Sequence, residues 1–177
     1  MASLQDAADA LPQLAAELGA ALRSQHLVLV TAESCTAGGV AYAVTMAPGS
    51  SQWYDRGFVT YSNEAKLQQL GVAPAYLRDF GAVSEPVARA MAQGALSHSQ
   101  AQVAVAVSGI AGPDGGTPAK PVGTVCFAWA IRRAAQQAAW VKTETLHFDG
   151  DRAAVRTQSI VVALQRLIAL LRQRQDV

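Results

Sequence analysis

Charge is scarce in this chain: only 15% of its 177 residues are Asp, Glu, Lys or Arg, and the net charge is +1. No basic block or basic–aromatic stripe occurs, which excludes the electrostatic footprint of a nucleic-acid binder. The two cysteines, Cys35 and Cys126, lack metal-binding or redox spacing and read as reduced, cytosolic thiols. No group of His, Cys, Asp and Glu has ligand spacing, so neither a metal nor another cofactor is expected. No basic stretch precedes an apolar one at the N-terminus, which argues against a secretory signal. No apolar run approaches the ~20 residues of a membrane span. The expectation is a cytoplasmic protein with no nucleic-acid and no membrane partner.

What the chain does have is apolar side chains, 51% of the total, enough for a sizeable core. Its length suits one domain, taken here as residues 1–177. Leu4, Ala8, Leu11, Ala15, Leu18 and Leu22 recur at helical spacing, with a start or bend near Pro12. Strands are expected over Leu27–Thr31, Trp53–Tyr61, Gln102–Ser108, Gly123–Ile131 and Ala139–Phe148, the last two around a polar turn at Arg132–Gln137. Helices are expected over Thr36–Ala47, from an Asn63 cap to Leu70, after Ser84-Glu85-Pro86, and from Asp149-Gly150-Asp151 onward. Pro74–Gly81 reads as a short helical or irregular stretch. Strands alternating with helices, followed by a late strand pair, give a single three-layer α/β/α sandwich with a mixed, mostly parallel sheet.

Three turns each follow a strand and can meet at one end of such a sheet, where ligands settle in open α/β folds. The first, Thr31-Ala32-Glu33-Ser34-Cys35-Thr36-Ala37-Gly38-Gly39, is a strand, a hydroxyl-rich turn and a helix start. Unpaired N–H groups and a helix dipole there suit a phosphate or a developing oxyanion. Ser34 and Cys35 are potential nucleophiles, although Ser34 can equally be an ordinary N-cap. The second turn is Tyr61-Ser62-Asn63-Glu64-Ala65-Lys66 and the third runs from Ser108 and Gly109 to Gly116. A lysine serves as a base at neutral pH only when burial lowers its pKa; otherwise Lys66 is a solvated charge. His26, His98 and His147 lie outside the three turns.

In order and spacing, these turns together with Gly81-Ala82-Val83-Ser84-Glu85, Lys120-Pro121-Val122-Gly123-Thr124-Val125 and Gly150-Asp151-Arg152 resemble the CinA C-terminal domain family from about residue 10 to about residue 170. The resemblance implies a nicotinamide-nucleotide amidase, which converts nicotinamide mononucleotide and water to nicotinate mononucleotide and ammonia. It implies Ser34 as nucleophile, Lys66 as base and Tyr61 as a proton relay. Thr36, Gly38, Ser108, Gly109, Gly112, Asp114 and Arg152 would bind the substrate, with Arg152, or Arg156 one turn on, at its phosphate. Ala37 departs from the family, which usually has glycine there. Longer members carry an added N-terminal domain of a molybdopterin-binding type, for which this chain has no room. Two other readings are a non-catalytic nucleotide-binding module and a hydrolase of another small amide. A homodimer or higher homo-oligomer is the expected assembly.

Overall fold

A computed structural model describes residues 4–132 and 138–174. The elements in chain order are α1 (Leu4–Asp9), α2 (Leu11–Ser24), β1 (Leu29–Glu33), α3 (Gly39–Thr45), β2 (Tyr54–Val59), α4 (Asn63–Leu70), α5 (Pro74–Phe80), α6 (Glu85–Ser97), β3 (Val103–Gly109), β4 (Thr124–Ile131), β5 (Trp140–His147) and α7 (Arg152–Gln173). The expected bend near Pro12 is the break between α1 and α2, with the proline in the first turn of α2, where its missing N–H costs nothing. Most of the polar turn expected at Arg132–Gln137 lies outside the described residues.

The strands form one sheet in the order β2-β1-β3-β4-β5. β1 pairs in parallel with β2 and β3, whereas β3–β4 and β4–β5 are antiparallel. The sheet is therefore mixed, as expected: β1, β2, β3 and β5 run in one direction and β4 runs against them. The link from β3 to β4 contains no helix to carry the chain back across a sheet face, so β4 returns beside β3 in the opposite sense.

Alternation along the central strands makes the two faces different. Val103, Val105, Val107, Phe127 and Trp129 point into a cluster shared with α2, α3 and α7. Ala104, Ala106, Ala128 and Ala130 point the other way, under α6. Alanines on that face let α6 lie close to the sheet, and Gly94 of α6 lets α4 lie close in turn. A Cβ at Gly94 would sit 2.0 Å from the Leu70 carbonyl oxygen. α7 is the one described helix long and apolar enough by composition to cross a membrane. It instead buries Val155, Ala163, Leu164, Leu167 and Leu171 against the first cluster.

Because β1, β2 and β3 run in parallel, Glu33, Val59 and Gly109 all end at one edge of the sheet.

Candidate active site

Ser34 is fixed by its neighbours before any catalytic contact is considered. Its N–H donates to the Val107 carbonyl at 2.9 Å, tying it to β3. On the other side, the Thr60 N–H donates to the Glu33 carbonyl at 2.8 Å, tying the end of β2 to β1. The Thr60 carbonyl then accepts from Lys66 Nζ at 2.7 Å, and the same amine donates to Ser34 Oγ at 3.0 Å. Strand pairing thus sets the separation of the hydroxyl and the amine, and Lys66 is delivered by the first turn of α4.

Both members of the pair are removed from solvent, Lys66 being 1% exposed and Ser34 8%. Burial disfavours the ammonium form and holds the Lys66 pKa below the ordinary lysine value. Cys35 responds oppositely. Burial first, with the nearby Glu33 charge adding to it, pushes its thiol up to about 12. Cys35 is therefore a neutral thiol at physiological pH and a poor nucleophile, although the sequence offered it as a candidate beside Ser34.

Ser34 is not a helix cap. Ala37 and Gly38 adopt left-handed conformations, with φ of 51° and 89°, so α3 begins at Gly39 rather than Thr36. The cap is the Glu33 carboxylate, which accepts from Val40 N at 3.0 Å, Ala41 N at 2.9 Å and Thr36 Oγ1 at 2.7 Å. The first N–H groups of α3 are thus spent within the protein, Gly39 on the Thr36 carbonyl and Val40 and Ala41 on Glu33. A second cap also differs from expectation: Ser62, not Asn63, accepts from Ala65 N at the start of α4.

A cavity of about 270 Å³ opens over Ser34 and Lys66. Of the twelve residues singled out from the sequence, Ser34, Cys35, Tyr61, Lys66, Ser108, Gly109, Gly112, Asp114 and Arg152 line it, and Thr36, Gly38 and Arg156 do not. Thr36 is buried, its hydroxyl on Glu33 and its carbonyl accepting from Arg156 Nη2 at 2.9 Å. Arg156 thus braces the serine turn from outside the cavity. Ser108 lines the wall, but its hydroxyl donates to the Ala82 carbonyl at 2.7 Å. Gly109 is required by packing, because an added Cβ would lie 2.7 Å from Val125 and 3.1 Å from Cys35 Sγ. Tyr61 stands at the mouth, 56% exposed, and its hydroxyl accepts from Arg152 Nη2 at 2.6 Å. Arg152 Nη1 also donates to the Gly112 carbonyl at 2.8 Å, joining the segment after β2, the glycine-rich loop and α7. No hydrogen bond joins Tyr61 to Ser34 or Lys66 among the described residues; the amine reaches the serine without a relay.

Sequence reasoning missed Glu33 and Thr60 as supports of the pair, and Asn63, Ala82, Val83, Ile110 and Ala111 as cavity wall. The apolar ones carry no chemical signal of their own. Glu33 had one, a buried-strand acid just ahead of a helix start. Among the described residues no group of three or more His, Cys, Asp and Glu is placed to hold a metal ion. The three histidines lie away from the cavity: His98 Nδ1 is 2.8 Å from the Gly94 carbonyl, and His147 pairs with Asp149.

A three-layer α/β domain with a buried serine–lysine pair at the carboxyl edge of its sheet has the parts of a hydrolase site. The CinA C-terminal domain pattern matches residues 11–171, and the chain belongs to that family. It is 51% identical over 162 residues to nicotinamide-nucleotide amidohydrolase PncC of Pseudomonas putida, covering 92% of this chain and 98% of the relative. The PncC of Escherichia coli K12 is 52% identical, with 89% and 92% covered. Against a CinA-like protein of Akkermansia muciniphila, at 49% identity, 87% of this chain matches only 35% of the longer partner. A crystal structure of a competence or damage-inducible protein from Enterobacter asburiae superposes with a TM-score of 0.85 at 38% identity, covering 91% of this chain and 98% of the other.

Proposed function

We propose that this chain is a nicotinamide-nucleotide amidase that hydrolyses the carboxamide of nicotinamide mononucleotide, releasing nicotinate mononucleotide and ammonia. The observation that carries the reading is the 3.0 Å contact between Lys66 Nζ and Ser34 Oγ inside a cavity at the sheet edge. The PncC names of relatives at about half identity supply the substrate.

A neutral Lys66 amine takes the Ser34 hydroxyl proton as Oγ attacks the carboxamide carbon. The N–H groups of Cys35 and Thr36 take no part in the turn's backbone hydrogen bonds and are assigned to the developing oxyanion. The Lys66 ammonium gives its proton to the amide nitrogen, the C–N bond breaks, ammonia leaves and an ester remains on Ser34. Water then attacks that ester with Lys66 accepting its proton, the C–Oγ bond breaks, Lys66 returns the proton to Ser34 Oγ, and the carboxylate product leaves. Arg152 at the mouth holds the phosphate, Asp114 and Gly112 lie beside the ribose, and the pyridine ring rests on Val83 and Ile110. Location in the cytoplasm and assembly as a homodimer or higher homo-oligomer belong to the same proposal, and sedimentation at micromolar concentration tests the assembly.

The direct test is to incubate purified protein with nicotinamide mononucleotide and follow ammonia, with nicotinamide in a parallel arm. Release from the nucleotide and little from the free base is expected. Release from neither would leave a binding module, and equal release from both would remove the phosphate from recognition.

A further inference from the structure

Glu33 is 1% exposed and has no cationic partner among the described residues. Its carboxylate is instead surrounded by the serine turn itself. One oxygen accepts from Thr36 Oγ1 and Val40 N, and the other accepts from Ala41 N. Between these anchors the chain passes through two successive left-handed residues, Ala37 and Gly38. The Ala37 N–H closes a turn on the Ser34 carbonyl at 3.1 Å, and the Gly39 N–H closes another on the Thr36 carbonyl at 3.0 Å. Such a path is sparsely populated for an alanine and persists only where the surroundings impose it.

We propose that Glu33 is the positioning residue of this site: its buried carboxylate imposes the left-handed turn that places Ser34 Oγ on the Lys66 amine and leaves the N–H groups after Ser34 free of the helix. This rests on the serine–lysine reading above. Three features support a geometric role over a merely stabilising one. The carboxylate binds residues on both sides of the strained pair. It belongs to the residue adjacent to the nucleophile. Its own carbonyl accepts from Thr60, whose carbonyl accepts from Lys66. A displacement at Glu33 therefore moves the hydroxyl and the amine relative to one another.

Glutamine is the informative substitution. It keeps the volume, but its NH2 group must face either the Val40 or the Ala41 N–H, a donor against a donor. Well below its melting temperature, Glu33→Gln is expected to lose about tenfold or more in kcat with KM within about threefold, the signature of lost transition-state alignment. Thr36→Val deletes only the hydroxyl anchor and is expected to lose less, so it serves where Glu33→Gln does not fold. A second readout needs no nucleotide. An alkyl fluorophosphonate labels an activated serine: Ser34 Oγ bonds to phosphorus, the P–F bond breaks, fluoride leaves and the hydroxyl proton passes to Lys66. The labelling rate of Ser34 is expected to fall in parallel with kcat. Because labelling does not involve the substrate, it fails independently of the amidase proposal. Folded Glu33→Gln protein with wild-type kcat or wild-type labelling overturns the inference. A loss confined to KM also overturns it, because that would make Glu33 a determinant of substrate binding.

Discussion

At the residue scale the proposed chemistry turns on Lys66, and its setting fixes the sign of the pH dependence expected of it. Burial lowers its pKa, so the neutral amine is reached at a lower pH than for a solvated lysine. kcat/KM is expected to rise with pH through that lowered value and then level, and a pH–rate profile of the wild type shows the limb directly. Cys35→Ala should keep most of the activity, since its thiol titrates only at about 12; a folded but inactive variant would make Cys35 the nucleophile. Ala37 gives a stability test. At φ 51° its Cβ is strained in a way glycine is not. Ala37→Gly is expected to stabilise by about 1 kcal/mol, read as a rise in Tm of about 2–4 °C. The departure at Ala37 was legible in the sequence, but its left-handed backbone was not, because a turn with two glycines beside it offers several ways to reverse direction.

At the scale of elements, the site is made by where strands end and helices begin. Its three turns were legible because each follows a run of apolar or β-branched residues, and Ser84 and Asp151 cap α6 and α7 as their sequences indicate. The start of α3 was not legible. Thr36 looks like a helix start, yet Glu33 reaches forward across the turn and sets the start at Gly39. Helix placement also depends on small residues. Gly94→Ala puts a methyl against the Leu70 carbonyl and is expected to cost about 1–3 kcal/mol by overpacking, measured by denaturant unfolding. At the head of α7, Arg152 bridges Tyr61 and the Gly112 carbonyl across the cavity mouth. Arg152→Ala is expected to raise KM for the nucleotide with kcat little changed, because a phosphate that keeps its charge is held equally in ground and transition states. An unchanged KM would place the phosphate elsewhere on the cavity wall.

For the molecule as a whole, alternation of strands and helices was enough to read the three layers. The placing of the reversed strand β4 between β3 and β5 was not, since it depends on a long glycine- and proline-rich link that crosses no face of the sheet. That same topology gathers three parallel strand ends at one end of the sheet and brings together Ser34 and Lys66, the pair proposed above to supply acid, base and nucleophile. Metal chelators are accordingly expected to leave the rate unchanged, and a rate restored only by one divalent ion would contradict the assignment. The most direct test of the account compares ammonia release from nicotinamide mononucleotide by the wild type and by Lys66→Arg, after both are shown to be folded. Arginine keeps the positive charge but cannot give up its proton in this range. The expected result is turnover by the wild type and essentially none by Lys66→Arg; wild-type turnover by Lys66→Arg would contradict the serine–lysine mechanism.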